Sequence, residues 1–381
     1  MANKDIIEIS GAGPAGLAAA LFVQRAGGRA RIYERRKDVG GRFHGDFQGL
    51  ENWTTDTDVL LELQSMGIET NFDFQAFNEV VCFDPHARPH HFQSRLPLFY
   101  LVKRGTVPGS LDMALKQQAL DAGVEIRFGE TISNLSAGGI VTHGPQRADV
   151  IAAGYLFDTD MADGAWAVVS DDLAPKGYAY VLVHNGRGTL ASCMYADFHN
   201  ERDYVSRCVN FFQQHIHLQM KNEKRFGGAG NSVFHNIVHK GNILYAGEAA
   251  GFQDALFGFG MRWAMLSGSQ AANALLMNKP DEYERQLDLR LRKFMQVSEV
   301  NRWLYQRLGN RGYRSVLNHH KNKDVREWMH RAYQQRWWTS LAHYLFVRRN
   351  KKPFLPIHVD CDCTWCRRTR HTSECTLGDA V

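Results

Sequence analysis

"DIIEISGAGPAGLAAALFVQRAGGRARIYERR", residues 5–36, decides the fold. Ile6 to Ile9 make a short apolar strand, and Gly11, Gly13 and Gly16 fit G-x-G-x-x-G. Leu17 to Arg25 keeps helical spacing, and Arg29 to Glu34 reads as a second strand. Strand, glycine triplet, helix, strand and acid in that order are a βαβ dinucleotide fingerprint. The first glycine permits a tight turn, and the second lets backbone N–H groups approach a pyrophosphate. The third lets helix and strand pack closely, while the anion rests on the helix N-terminus. Glu34, 23 residues after Gly11, is placed to accept ribose hydroxyls. Pro14, Ala15, Arg35 and Arg42 complete the residues expected around the nucleotide.

Working outward, residues 37–110 leave this pattern for mixed aromatic and polar sequence. A strand through Val102 then reaches Arg104, a turn follows at Pro108-Gly109, and a helix runs from about Ser110 to Ala122, stopped by Gly123. "VEIRF" is the next strand, and residues 139–157 supply more. Residues 177–195 read as a hairpin about the Asn185-Gly186 pair. Residues 200–225 read as helical, and the chain beyond about 281 is strongly helical.

A second informative stretch is "NILYAGEAAGFQDALFGFGMRWAM", residues 242–265. An apolar strand ends on Gly247-Glu248, and a loop with Asp254, Gly258 and Gly260 opens an apolar helical pattern at Met261. A strand that stops on a carboxylate and passes into a glycine-studded helix start builds a ligand pocket rather than a core.

Together, the N-terminal fingerprint, the segment around Arg104 and the late motif resemble FAD-dependent oxidoreductases of the p-hydroxybenzoate hydroxylase type. Within that group the chain looks most like the geranylgeranyl reductase branch, over residues 1 to about 278. The resemblance implies an α/β fold: a Rossmann-like FAD-binding domain, a β-sheet substrate domain and a helical C-terminal extension. It implies non-covalent FAD, with Arg104 near the phosphates and Glu248 on the ribityl chain, where the family has Asp. Gly258, Gly260 and Met261 would direct N–H groups toward the pyrimidine end of the flavin. The corresponding division is 1–45, 100–165 and 235–280 for a discontinuous FAD-binding domain, and 46–99 and 166–234 for a substrate domain. A basic helical extension (281–360) and a Cys-rich tail (361–381) follow.

The activity implied is redox chemistry on an apolar small molecule, with reduction of an isoprenoid-like C=C bond by hydride transfer from flavin N5 as the leading reading. A flavin-dependent monooxygenase or halogenase-like enzyme is the alternative, and a non-catalytic flavin electron-transfer module a third. The family's Ala-Asp-Gly-x-x-Ser turn is degraded to "AAGYLFDTDMADG", with Asp163-Gly164 as a displaced remnant or Asp158 and Asp160 as plain turn residues. The electron donor, NAD(P)H or another reductant, is therefore open. Tyr178 and Tyr180 align with an aromatic strand motif of the reductase branch and are expected to line the cavity.

Composition bounds the rest. The net charge of +5 is a tail property: residues 1–300 carry 29 Lys and Arg against 34 Asp and Glu, and residues 301–381 carry 16 against 6. Trp337, Trp338 and Tyr344 interleave these cations, so an anionic membrane surface or an acidic electron-donor protein is the expected partner, rather than nucleic acid. No apolar run is long enough to span a bilayer, and "MANKDIIEIS" lacks signal-peptide architecture. The expectation is a cytoplasmic protein, peripheral to a membrane at most. Four of the seven cysteines crowd the last 21 residues. Cys361, Cys363, Cys366, His371 and Cys375 are candidate metal ligands, for zinc ahead of an iron–sulfur cluster, with plain thiols or a disulfide as the alternative. "PHARPHH", with His86, His90 and His91, reads as an exposed loop.

Overall fold

A computed structural model describes residues 6–132, 135, 138–145, 149–231, 238–347 and 361–367. They form two compact units, the first comprising 1–74, 101–145 and 232–296, the second 75–100, 146–231 and 297–381.

The first unit is built on a six-stranded sheet in the order His239–Lys240, Ile243–Tyr245, Gly139–Val141, Ile7–Ser10, Ala30–Glu34, Glu125–Phe128. All neighbouring pairs are parallel except the first two strands. Ile9, Ile32, Ile140 and Leu244 are fully buried, as strands covered on both faces require. The helix Pro14–Arg25 follows the first strand and buries Leu17, Ala18, Ala19, Ala20, Leu21 and Val23. Its alanines let the helix Met261–Leu276 approach closely. A Cβ on Gly268 would lie 2.1 Å from the Ala15 carbonyl oxygen, so only glycine fits there. The helix Leu111–Asp121 starts where expected, its N-terminus capped by the Ser110 hydroxyl, which accepts from Met113 N.

The second unit is built on a seven-stranded sheet in the order Lys221–Gly230, Val150–Asp158, Arg187–Met194, Tyr178–His184, Gly164–Val168, Glu79–Phe83, Pro89–Gln93. It is antiparallel except where Gly164–Val168 runs parallel to Glu79–Phe83. The expected hairpin forms, with Asn185 (φ 48°) and Gly186 (φ 70°) both left-handed, the backbone a type I′ turn needs. One face of the sheet, through Val181, Val183 and Leu190, packs on Cys208 and Phe212 of the helix Glu201–Ile216.

Several expectations are corrected. Residues 221–230 are an edge strand and not the end of a helix. His217 (φ 54°) stops the helix, and pairing with Val150–Asp158 sets the strand. Residues 46–74 lie in the first unit, whereas 146–165 lie in the second. Asp163 lies in the second unit, where it accepts from His184 Nδ1 at 2.6 Å and Asn185 N at 2.9 Å. "PHARPHH" is a hairpin rather than an open loop, for Asp84 binds the His86 and Arg88 N–H groups and His90 is buried on the returning strand. Among the described residues no helix is long and apolar enough to cross a membrane.

Candidate functional site

The glycine loop is shaped by close approach. Gly11 has φ 105°, and a Cβ on Gly16 would fall 2.0 Å from the Gly11 carbonyl oxygen. Thr142 Oγ1 locks the turn by donating to the Ser10 and Gly11 carbonyls, at 2.9 and 2.8 Å. Gly13 is different: a Cβ there would meet nothing within 4 Å. No side chain caps the helix that follows, no acid occupies its first turn, and Pro14 sits in that turn. The positive end of the helix macrodipole thus carries no side-chain cap.

Glu34 closes over this loop. Its Oε2 accepts from Ala12 N and its Oε1 from Arg36 N, both at 2.9 Å. Each carboxylate oxygen retains a second lone pair, so the group can still accept from hydroxyls. Arg35 is exposed and Arg36 half-buried. Burial, and then the like charges of Arg35 and Arg42, hold the Arg36 pKa below its ordinary value. An anion would relieve that crowding of cations.

The late motif lands on the same helix start. Gly247 (φ 61°) donates its N–H to Ser267 Oγ at 2.9 Å, and a Cβ on it would lie 2.9 Å from Ala15 Cβ. Glu248, in the short turn Gly247–Ala250, pairs with Arg42 at 3.0 Å. Asp254 accepts from Leu256 N and Phe257 N, which makes it the organiser of the loop that Gly258 (φ 81°) and Gly260 carry to Met261. Gln253 Nε2 donates to the Gly258 carbonyl at 2.8 Å, which leaves its buried Oε1 without a partner among the described residues.

Arg104 is held by an acid of its own unit and lies in the field of Glu248. It is 4% exposed, and its guanidinium forks onto Asp112 through two 2.9 Å hydrogen bonds while lying 4.1 Å over the Phe43 ring. Burial opposes the Asp112 charge, but Arg104 outweighs it and holds that carboxyl below its usual range. Only Nη1, 3.3 Å from Gln48 Oε1, points elsewhere.

Two residues of the first unit escaped sequence reasoning. Arg262, fully buried, joins Glu62 at 2.6 Å and Glu51 at 3.5 Å, and donates to Thr54 and Thr55, so it ties residues 51–62 to the glycine-led helix start. His143 lies in the field of both Arg35 and Glu248, with burial and then Arg35 lowering its pKa. Arg262 sits inside the late stretch but its partner Glu62 is 200 residues away, and His143 belongs to no spaced motif, so no local signal marked their roles.

In the second unit, Tyr178 and Tyr180 share a sheet face, ring centroids 6.2 Å apart, opposite the face that Ala179, Val181 and Val183 bury. Burial pushes the Tyr178 phenol well above its ordinary pKa. Cys361, Cys363 and Cys366 are brought together, and His199 joins them; the expected His371 and Cys375 lie outside the described residues. A cavity of about 510 Å³ in the same unit is lined by Arg95, His320, Asp324, Trp328 and Arg331, and touches none of the glycine motifs.

The chain enters the unit of the glycine-looped parallel sheet three times, and solved structures share its fold. Residues 9–52 match the family model of the NAD(P)-binding Rossmann-like domain. A geranylgeranyl bacteriochlorophyll reductase-like protein from Thermoplasma acidophilum superposes with a TM-score of 0.68 at 17% identity, over 84% of this chain and 91% of that one. The flavin-dependent brominase Bmp2 gives 0.62 at 14% identity, over 98% and 100%. The p-nitrophenol 4-monooxygenase from Pseudomonas putida gives 0.61 at 13%, over 87% and 100%. No curated protein matches the chain in sequence.

Proposed function

We propose that the chain is an FAD-dependent oxidoreductase that reduces an apolar small molecule, an isoprenoid-like C=C bond being the favoured target. The observation that carries the flavin is the meeting of two glycine motifs, 231 residues apart, on Ala15. The residues fit the cofactor. Open space at Gly13 admits backbone to a pyrophosphate, and Arg35, Arg36 and Arg42 supply positive potential. Glu34 would take the ribose hydroxyls, and Glu248, turned by Arg42, would take the ribityl chain. Gln253 Oε1 offers an acceptor beside Gly258.

When bound, the flavin supplies two-electron redox chemistry at N5. What the chain contributes is position and dryness. The N–H groups at the start of Met261–Leu276 carry no side-chain cap and would stabilise negative charge gathering at the pyrimidine end. Tyr178 and Tyr180 are the proposed cavity residues, and burial pushes the Tyr178 phenol well above its ordinary pKa. No side-chain nucleophile is required.

The reductase reading is tested by chemically reducing the holoprotein without oxygen and adding an isoprenoid alkene. Return of the oxidised flavin spectrum, with a product heavier by two hydrogens, is expected. Reoxidation only by oxygen, with an oxygenated or halogenated product, would move the assignment to a monooxygenase or halogenase-like enzyme.

A further inference from the structure

The last described segment of the chain, 361–367, is seated on the second unit by contacts that serve a purpose beyond packing. Cys363, Trp365 and Cys366 enter a core with Ile151, Ala153, Met194, Phe198 and Val205. Thr364 N donates to Glu201 Oε2 at 2.8 Å, and the strand leaves room for Thr364 only because residue 227 is glycine. This docking carries three thiols to one imidazole 162 residues earlier in the chain. From His199 Nδ1 to the sulfurs of Cys361, Cys363 and Cys366 the distances are 3.4, 3.8 and 3.7 Å, and all four ligand atoms lie within 4.8 Å of one another.

Those distances have a chemical meaning. A tetrahedral zinc with Zn–S of about 2.3 Å and Zn–N of about 2.05 Å puts nitrogen and sulfur about 3.6 Å apart along a tetrahedron edge. The three measured separations bracket that value. Four soft donors, three thiolates and one imidazole, are the set zinc prefers over oxygen-seeking ions. An iron–sulfur cluster interposes iron and sulfide between its cysteines and holds them farther apart than ligands sharing a single ion. The Cys366 N–H donates to Cys363 Sγ at 3.4 Å, which supports a thiolate, and Trp365 packs edge-on against the His199 ring, centroids 5.9 Å apart. The described cysteines are not disulfide-bonded.

We propose that His199, Cys361, Cys363 and Cys366 bind one zinc ion, which clamps the C-terminal segment onto the sheet and the helix Glu201–Ile216. Binding displaces three thiol protons, and the closed four-ligand shell leaves no open position for chemistry, so the ion is structural. This stands independently of the flavin.

The test is elemental analysis of the full-length protein purified without added metal. About one zinc per chain is expected. His199→Ala and Cys366→Ser should each lose most of it, while His371→Ala and Cys375→Ser keep it. Should the first two variants fail to fold, the wild-type protein loaded with cobalt decides: strong visible bands and thiolate charge-transfer bands mark a tetrahedral thiolate site. Zinc below about a tenth of an equivalent, stoichiometric iron, weak octahedral cobalt bands, or zinc retained by His199→Ala and lost from His371→Ala would each overturn the assignment.

Discussion

Glu248 and Asp254 stand six residues apart, and the sequence offers only Glu248, which directly follows the strand and Gly247, as a cofactor ligand. In the structure Asp254 accepts from the Leu256 and Phe257 N–H groups, whereas Glu248 pairs with Arg42. Glu248→Ala should weaken FAD binding by about 1.5–3 kcal/mol, the loss of a charge-assisted hydrogen bond. Asp254→Ala should instead lower the melting temperature, and equal FAD affinities in the two variants would contradict the roles. Gly13 gives a sharper test, because its φ of −81° suits any residue and a Cβ there meets nothing. Gly13→Ala should fold as the wild type does yet bind FAD more weakly, measured by fluorescence titration. Arg104 teaches the reverse lesson. Its place on the strand was legible, but its partner Asp112 was not, because that acid lies on a different element. Asp112→Asn should destabilise the first unit by about 3–5 kcal/mol by stranding a buried cation. Because the folded Asp112 pKa is depressed, its stabilisation is present above the ordinary carboxylate pKa of about 3.9 and disappears as pH falls through the lower folded value. Denaturant midpoints measured against pH should therefore fall in acid, and less so in Asp112→Asn.

At the scale of elements, what was legible had local chemistry. Ser110 and Gly123 bounded a helix, and Asn185-Gly186 marked a hairpin. The strand Lys221–Gly230 was not, since "KNEKR" is exposed and carries no alternation of its own. Its conformation comes from pairing with Val150–Asp158, some 70 residues earlier. His199 was missed for a related reason: nothing near it in sequence hints at cysteines 162 residues away. Gly186→Ala, which forces a side chain to φ 70°, should cost about 1–2 kcal/mol in the second unit, read from urea unfolding.

At the scale of the molecule, the chain keeps its fold legible through two glycine motifs and hides its substrate. The motifs obey steric rules that any nucleotide imposes, whereas a cavity for an apolar molecule is written in ordinary hydrophobic residues. Charge adds a second theme. Trp337 is 88% exposed, and Leu341 and Tyr344 follow at helical spacing on the same face, both more than half exposed. With the basic run Arg348, Arg349, Lys351 and Lys352, which lies outside the described residues, this is the ground on which we propose an anionic membrane surface, or else an acidic electron-donor protein, as partner. Sedimentation with phosphatidylserine vesicles should be salt-dependent and should drop when those four residues become Gln, each cation contributing about 1 kcal/mol. Indifference of the wild-type protein to such vesicles at low salt would remove the membrane from the account.

The central claim is that two distant glycine motifs build one flavin site, and the cofactor content of the purified protein tests it most directly. The protein should be yellow, show an oxidised-flavin spectrum and release FAD, not FMN, when heated. Protein that is colourless as purified and remains so after incubation with FAD would contradict the claim.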